Sequence, residues 1–162
     1  MTNMRGSAPR AVAILSEGII LATVEVAPES DRVFEALASN DVVDWWVRPG
    51  VFDTREWRGD VRAGGTWRAS GIGNGQPYVL EGEFLEIDPP RALSHTWHPV
   101  GAPGAPTTVT YLLEPLAPGT RITLRHSGFS SRASCEQTAI GWETSFERLA
   151  TILETTVPRS PA

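Results

Sequence analysis

Two of the three histidines in this 162-residue chain fall where a pocket could use them. His95 alternates with Leu93 and Trp97, and His126 alternates with Leu124 and Ile122. In an extended chain, period two sends each trio to one face, so each imidazole shares its face with apolar neighbours. There it could hydrogen-bond the polar end of a ligand, or act as a general acid or base in a water-poor site. The plainer alternative is a histidine satisfied by a nearby carbonyl or hydroxyl. Other chemistries fail on spacing. His95 and His98 stand three apart on a strand and face opposite sides, which is wrong for chelating one zinc ion. Ser127 adjoins His126, and adjacency along a strand points the two side chains apart, against a Ser-His-Asp set. Gly71, Gly73 and Gly75 imitate part of a phosphate-binding loop, yet no helix follows them, so they read as a hairpin turn. Glu81, Glu83 and Asp88 read as solvated carboxylates, and Cys135 as a small hydrophobe on a helix face. No metal or organic cofactor motif is visible, and none is expected.

Such residues need elements to hold them. Residues 18–27 are rich in Ile, Val and Thr and read as a strand ended by Pro28. A helical spacing through Val33, Phe34, Leu37 and Ala38 follows, and 41–47 continue it as a second short helix around Trp45 and Trp46. The punctuation then changes to turn chemistry. Gly64-Gly65, Gly73-Asn74-Gly75, Asp88-Pro89-Pro90, residues 101–106 and Pro118-Gly119 separate β-rich runs at 52–58, 66–72, 78–87, 92–98, 107–113 and 121–126. Over about 131–156, Cys135, Ala139, Trp142, Phe146, Leu149 and Leu153 recur at intervals of four and three, the stripe of an amphipathic helix. The pattern predicts an α+β fold, with a curved antiparallel sheet of about seven strands wrapped around that long C-terminal helix. Gly82 marks a bend that lets the sheet wrap. Trp45, Trp46, Trp97 and Trp142 serve core packing first and ligand contact second. Arg125 is out of phase with His126 and points outward.

Composition narrows the partners. The hydrophobic fraction of 41% suits one globular core, and a formal net charge of -5 argues against nucleic acid or an anionic membrane surface. All fourteen basic side chains are Arg, which indicates no function by itself. The apolar patch at 11–15 is too short for a signal-peptide core, and no segment approaches the ~20 apolar residues of a membrane span. One cysteine permits no internal disulfide, so a cytoplasmic setting is expected. The domain reading is a loose N-terminal tail over 1–17, a single domain over 18–157 and a C-terminal tail over 158–162.

The order strand, two short helices, six strands and long helix carries local marks at fixed places. These are 33–37 with Asp44-Trp45-Trp46, 60–65 before a strand, 82–87 with Pro89-Pro90-Arg91, Thr96-Trp97, 124–129 and Gly141-Trp142. In this order the chain resembles the START-like, helix-grip superfamily, also called SRPBCC, and within it the branch of homologues of the activator of the heat-shock-protein-90 ATPase. The resemblance covers roughly residues 18–153. It differs at His95, where relatives usually place an aromatic or aliphatic residue. The resemblance implies a cavity between sheet and helix that accepts an apolar or amphipathic small molecule. Strand phase and the helix stripe put Tyr78, Phe84, His95, Trp97, Leu124, His126, Trp142 and Phe146 forward as its lining, joined by Trp46 of the second short helix. The expectation is a small cytoplasmic binding protein, monomer or homodimer, without catalysis. A cyclase, dehydratase or hydrolase using a pocket histidine, and a co-chaperone-like stress-response protein, are the alternatives.

Overall fold

Turn residues and alternating apolar positions lay the β-rich runs side by side in one sheet. The computed structural model describes residues 9–155. In chain order it contains β1 (Arg10–Ile14), β2 (Ile19–Val26), α1 (Ser30–Leu37), α2 (Val42–Trp45), β3 (Glu56–Gly59), β4 (Thr66–Gly73), β5 (Gln76–Asp88), β6 (Ala92–Pro99), β7 (Thr107–Pro115), β8 (Thr120–Ser127) and α3 (Arg132–Thr155). The strands lie in the order β1-β2-β8-β7-β6-β5-β4-β3, and every neighbouring pair is antiparallel. Strands β3 to β8 form a meander, and α1 and α2 carry the chain across from β2 at the far side.

Two expectations need correction. Residues 10–14 are an eighth strand rather than part of a loose tail, paired from Arg10↔Thr23 to Ile14↔Ile19. Ala11 and Ala13 pack against the core. The expected tail at 158–162 lies outside the described residues, as do 1–8. The run at 52–58 is a strand only from Glu56. Before it, Phe52 folds back on Arg48, with reciprocal backbone hydrogen bonds of 3.0 and 2.9 Å, and bridges to Gly73.

The sheet bends where β5 crosses β6. Their register shifts between Phe84 and Glu86, a bulge that increases local twist. Gly82 is required beside it. A Cβ there would lie 2.0 Å from the Thr96 carbonyl oxygen and 2.2 Å from Trp67 Nε1. Trp67 fills that space and donates its indole N–H to the Thr96 carbonyl at 3.2 Å.

Helix α3 lies in the concavity through its apolar stripe. Cys135, Ala139, Trp142, Phe146, Leu149 and Leu153 are all buried. Ser131 Oγ accepts the Ser134 amide at 3.1 Å, which satisfies one of the orphan donors of the first turn. Trp45 wedges between the short helices and α3, its ring centroid 6.3 Å from Trp142 and 6.2 Å from Phe146, with its N–H given to the Ala36 carbonyl at 2.8 Å. Arg148 on α3 donates twice to the Asp44 carbonyl, at 3.1 and 3.0 Å, tying α2 down.

Candidate ligand-binding site

The grip is not closed at the end of the molecule where the N-terminal half of α3 passes the segment after α2. A cavity of about 420 Å³ opens there. One wall is α3, from Gln137 and Thr138 to Trp142 and Ser145. The segment from Trp46 to Thr54 forms the rim opposite, and Tyr78 and Leu80 of β5 with Trp97 of β6 form the sheet side. Gly141 helps to create the opening. Its missing side chain would stand 3.5 Å from the Phe52 ring, so any larger residue would project into the hollow. The floor is aromatic: Trp46 lies 4.9 Å from Trp97 and 6.3 Å from Trp142, centroid to centroid. Polar groups at the side are already engaged. The Tyr78 hydroxyl donates to the Asp53 carbonyl at 2.6 Å and sits 2.9 Å from Thr54 Oγ1, which donates to the Trp46 carbonyl at 2.8 Å. Burial raises the Tyr78 pKa, so the phenol keeps its proton.

A larger groove of about 780 Å³ runs over the outer surface of β3 to β6. It is polar and open, and its Arg68 is paired with Glu81 on the next strand. It lacks the aromatic enclosure of the smaller hollow. Among the described residues, no three His, Cys, Asp or Glu side chains gather as a metal ion would need, and no helix is long and apolar enough to cross a membrane.

Residues 28–154 match the family model described as Activator of Hsp90 ATPase homolog 1-like protein. The chain belongs to this family. Solved structures agree on the fold. Protein CV1439 from Chromobacterium violaceum aligns with a TM-score of 0.76 at 24% identity, covering 85% of this chain and 97% of that one. Protein Ms6760 from Mycobacterium smegmatis aligns at 0.76 and 19% identity, over 94% and 99%. CalU16 from Micromonospora echinospora aligns at 0.62 and 22% identity, over 98% and 88%. At these identities the likeness establishes the helix-grip α+β fold and nothing finer. No curated protein matches the chain.

Within the chain, the residues singled out from the sequence divide by depth. Trp46, Tyr78, Trp97 and Trp142 line the cavity. Phe84, His95, Leu124, His126 and Phe146 lie on the same inner faces but further in, at most 3% exposed, where α3 and the short helices fill the space. They are core, and the cavity does not reach them.

Both histidines are satisfied within the protein. His126 accepts the Trp142 indole N–H at Nδ1, 3.0 Å away, and its Nε2 donates to Thr107 Oγ1 at 2.7 Å. That hydroxyl passes its own proton to the Trp97 carbonyl at 3.1 Å. Thus His126 supports Trp142 and the Trp97 strand from behind without entering the hollow. Burial, then the neighbouring His95, push its pKa down to about 3. His95 donates from Nδ1 to the Thr96 carbonyl at 2.8 Å and packs edge-on against Trp67 at 5.1 Å. Burial lowers its pKa to about 4, only partly offset by that hydrogen bond. Neutral imidazoles so reluctant to take a proton make poor general bases at neutral pH.

Sequence reasoning passed over Arg48, Phe52, Thr54, Gly141 and Ser145, all of which line the cavity together with Leu80. Leu80 shares the strand phase of Tyr78, and Gly141 interrupts a helix at its most aromatic turn; both signals were legible. Nothing in the spacing of Arg48, Phe52 or Thr54 marks a rim, because an irregular segment has no period. The Trp46 indole N–H and the Tyr111 hydroxyl are both buried, and burial raises the Tyr111 pKa, an effect that the indole of Trp46 partly offsets.

Proposed function

We propose that this protein binds an apolar or amphipathic small molecule in the hollow beside α3. One observation carries the reading: a 420 Å³ cavity floored by Trp46, Trp97 and Trp142, beside a core of fully buried side chains. That volume lies in the range of small-molecule sites, and an aromatic floor with few polar groups is their usual lining. Burying ~200–300 Å² of ligand surface supplies about 5–7 kcal/mol before the cost of association, so burial alone sets an upper limit of roughly micromolar affinity and polar contacts must add to it. The enclosed, satisfied histidines favour binding over acid–base turnover. A cytoplasmic setting is consistent with the single, buried thiol of Cys135.

The test is a fluorescence titration with N-phenyl-1-naphthylamine, a neutral dye that brightens in apolar surroundings. Wild-type protein is expected to saturate near one dye per chain, with a shift in tryptophan emission. Gly141→Phe, which fills the hollow from α3, is expected to abolish saturation while leaving the circular dichroism spectrum intact. Equal binding by the filled variant, or none by the wild type, would sink the proposal.

A further inference from the structure

Among the described residues that line the cavity, Arg48 is the only one with a charged side chain. Elsewhere the arginines are widely engaged: Arg32, Arg55, Arg62, Arg68, Arg91 and Arg121 pair with carboxylates, and Arg148 with a carbonyl. The Arg48 guanidinium has no hydrogen bond or ion pair among the described residues, although the residue is partly buried. Among the described residues, no Asp or Glu lines the hollow to balance it. The Asp53 carboxylate, close enough to act on the Tyr78 hydroxyl, is held by Arg55 and the Ile72 amide, which leaves Arg48 as the charge on the lining of the hollow.

The backbone beneath this cation is held firmly. Arg48 and Phe52 exchange hydrogen bonds across a tight turn, Val51 also donates to the Arg48 carbonyl at 2.9 Å, and Gly50 takes the positive φ of 81° that the turn requires. The Asn74 amide then donates to the Val51 carbonyl at 2.8 Å, which pins the turn onto the β4–β5 hairpin. The stem of Arg48 thus starts from a fixed point at the edge of an aromatic hollow. A guanidinium is a rigid fork of donors that suits a carboxylate, and its charge-assisted hydrogen bonds are stronger than neutral ones.

We infer that the ligand is an amphipathic monoanion, an aromatic or aliphatic body seated on Trp46, Trp97 and Trp142 with a terminal carboxylate held by Arg48. This deepens the binding proposal and rests on it. A single unbalanced cation matches one negative charge, so a carboxylate fits better than a phosphate dianion.

The test compares two dyes with the same rings. Anilinonaphthalene sulfonate carries one negative charge, and N-phenyl-1-naphthylamine carries none. Arg48→Gln is expected to weaken the anionic dye about tenfold, the loss of roughly one charge-assisted hydrogen bond, and to leave the neutral dye within about twofold. Arg48→Lys should restore part of the loss, and Arg125→Gln, on the exposed outer face, should change neither dye. Raising salt from about 0.01 to 1 M should weaken only the anionic dye, and only where residue 48 is charged. In competition, 2-naphthoate should displace the anionic dye at lower concentration than 2-naphthyl phosphate. An equal loss of both dyes in Arg48→Gln, or of neither, overturns the inference, and a preference for the phosphate overturns the carboxylate assignment. Should the wild type bind the neutral dye and not the anionic one, this inference alone fails. If it binds neither, the cavity reading fails as well.

Discussion

His126 and His95 stand on the faces that period two assigns them, yet their chemistry is set by depth. Each is enclosed and hydrogen-bonded as the neutral imidazole, with its pKa held down to about 3 and about 4 by burial. In the unfolded chain both take up a proton near the ordinary value of ~6.5. The native state therefore binds fewer protons than the unfolded state between those limits. The stability tied to the neutral rings is complete above pH ~6.5 and drains away as pH falls toward the folded pKa values. The loss approaches about 1.4 kcal/mol per pH unit for each histidine. Urea unfolding at pH 7, 6 and 5 should show it, and His95→Phe should remove about half of the slope. A flat profile from pH 7 to 5 in the wild type would contradict the burial of both rings.

Elements here owe their shape to where glycine stands. Gly141 in α3 and Gly82 in β5 look alike in the sequence, and the structure gives them opposite meanings. At Gly141 an added Cβ would meet only the Phe52 ring, at 3.5 and 3.7 Å, which is ordinary contact. Gly141→Ala should therefore stabilise the helix by about 0.5–1 kcal/mol and narrow the cavity mouth slightly. At Gly82 the same methyl would collide with backbone and with the Trp67 indole. Gly82→Ala should cost about 3 kcal/mol or more, because neither the Thr96 carbonyl nor the indole that bonds to it can yield without opening the β5–β6 bend. Thermal or chemical denaturation of the two variants decides the matter, and Gly82→Ala as stable as wild type would refute the account of the bend.

At the scale of the whole molecule, the sheet and α3 meet around Phe146, which is fully buried against Trp45 and Trp142 and set apart from the cavity. Phe146→Ala is expected to cost about 3–5 kcal/mol in equilibrium unfolding, the range for a closed aromatic site. A markedly smaller loss would mean that the hollow extends to this ring. The α+β class, both short helices, the meander and the α3 stripe were all legible in the sequence, because periodicity and turn chemistry are local and repeat along the chain. The strand at 10–14 was passed over because five residues carry too little periodicity, and only its pairing with β2 supplies the rest. Face, likewise, was set by the sequence: Tyr78, Phe84, His95, Trp97, Leu124 and His126 all turn inward as period two requires. What the sequence could not set is depth along that face. The wedge of Trp45, the glycine at 141 and the turn from Arg48 to Phe52 decide which inward residues border open space and which are sealed. These are contacts between segments far apart in the chain, and packing between them has no period to read.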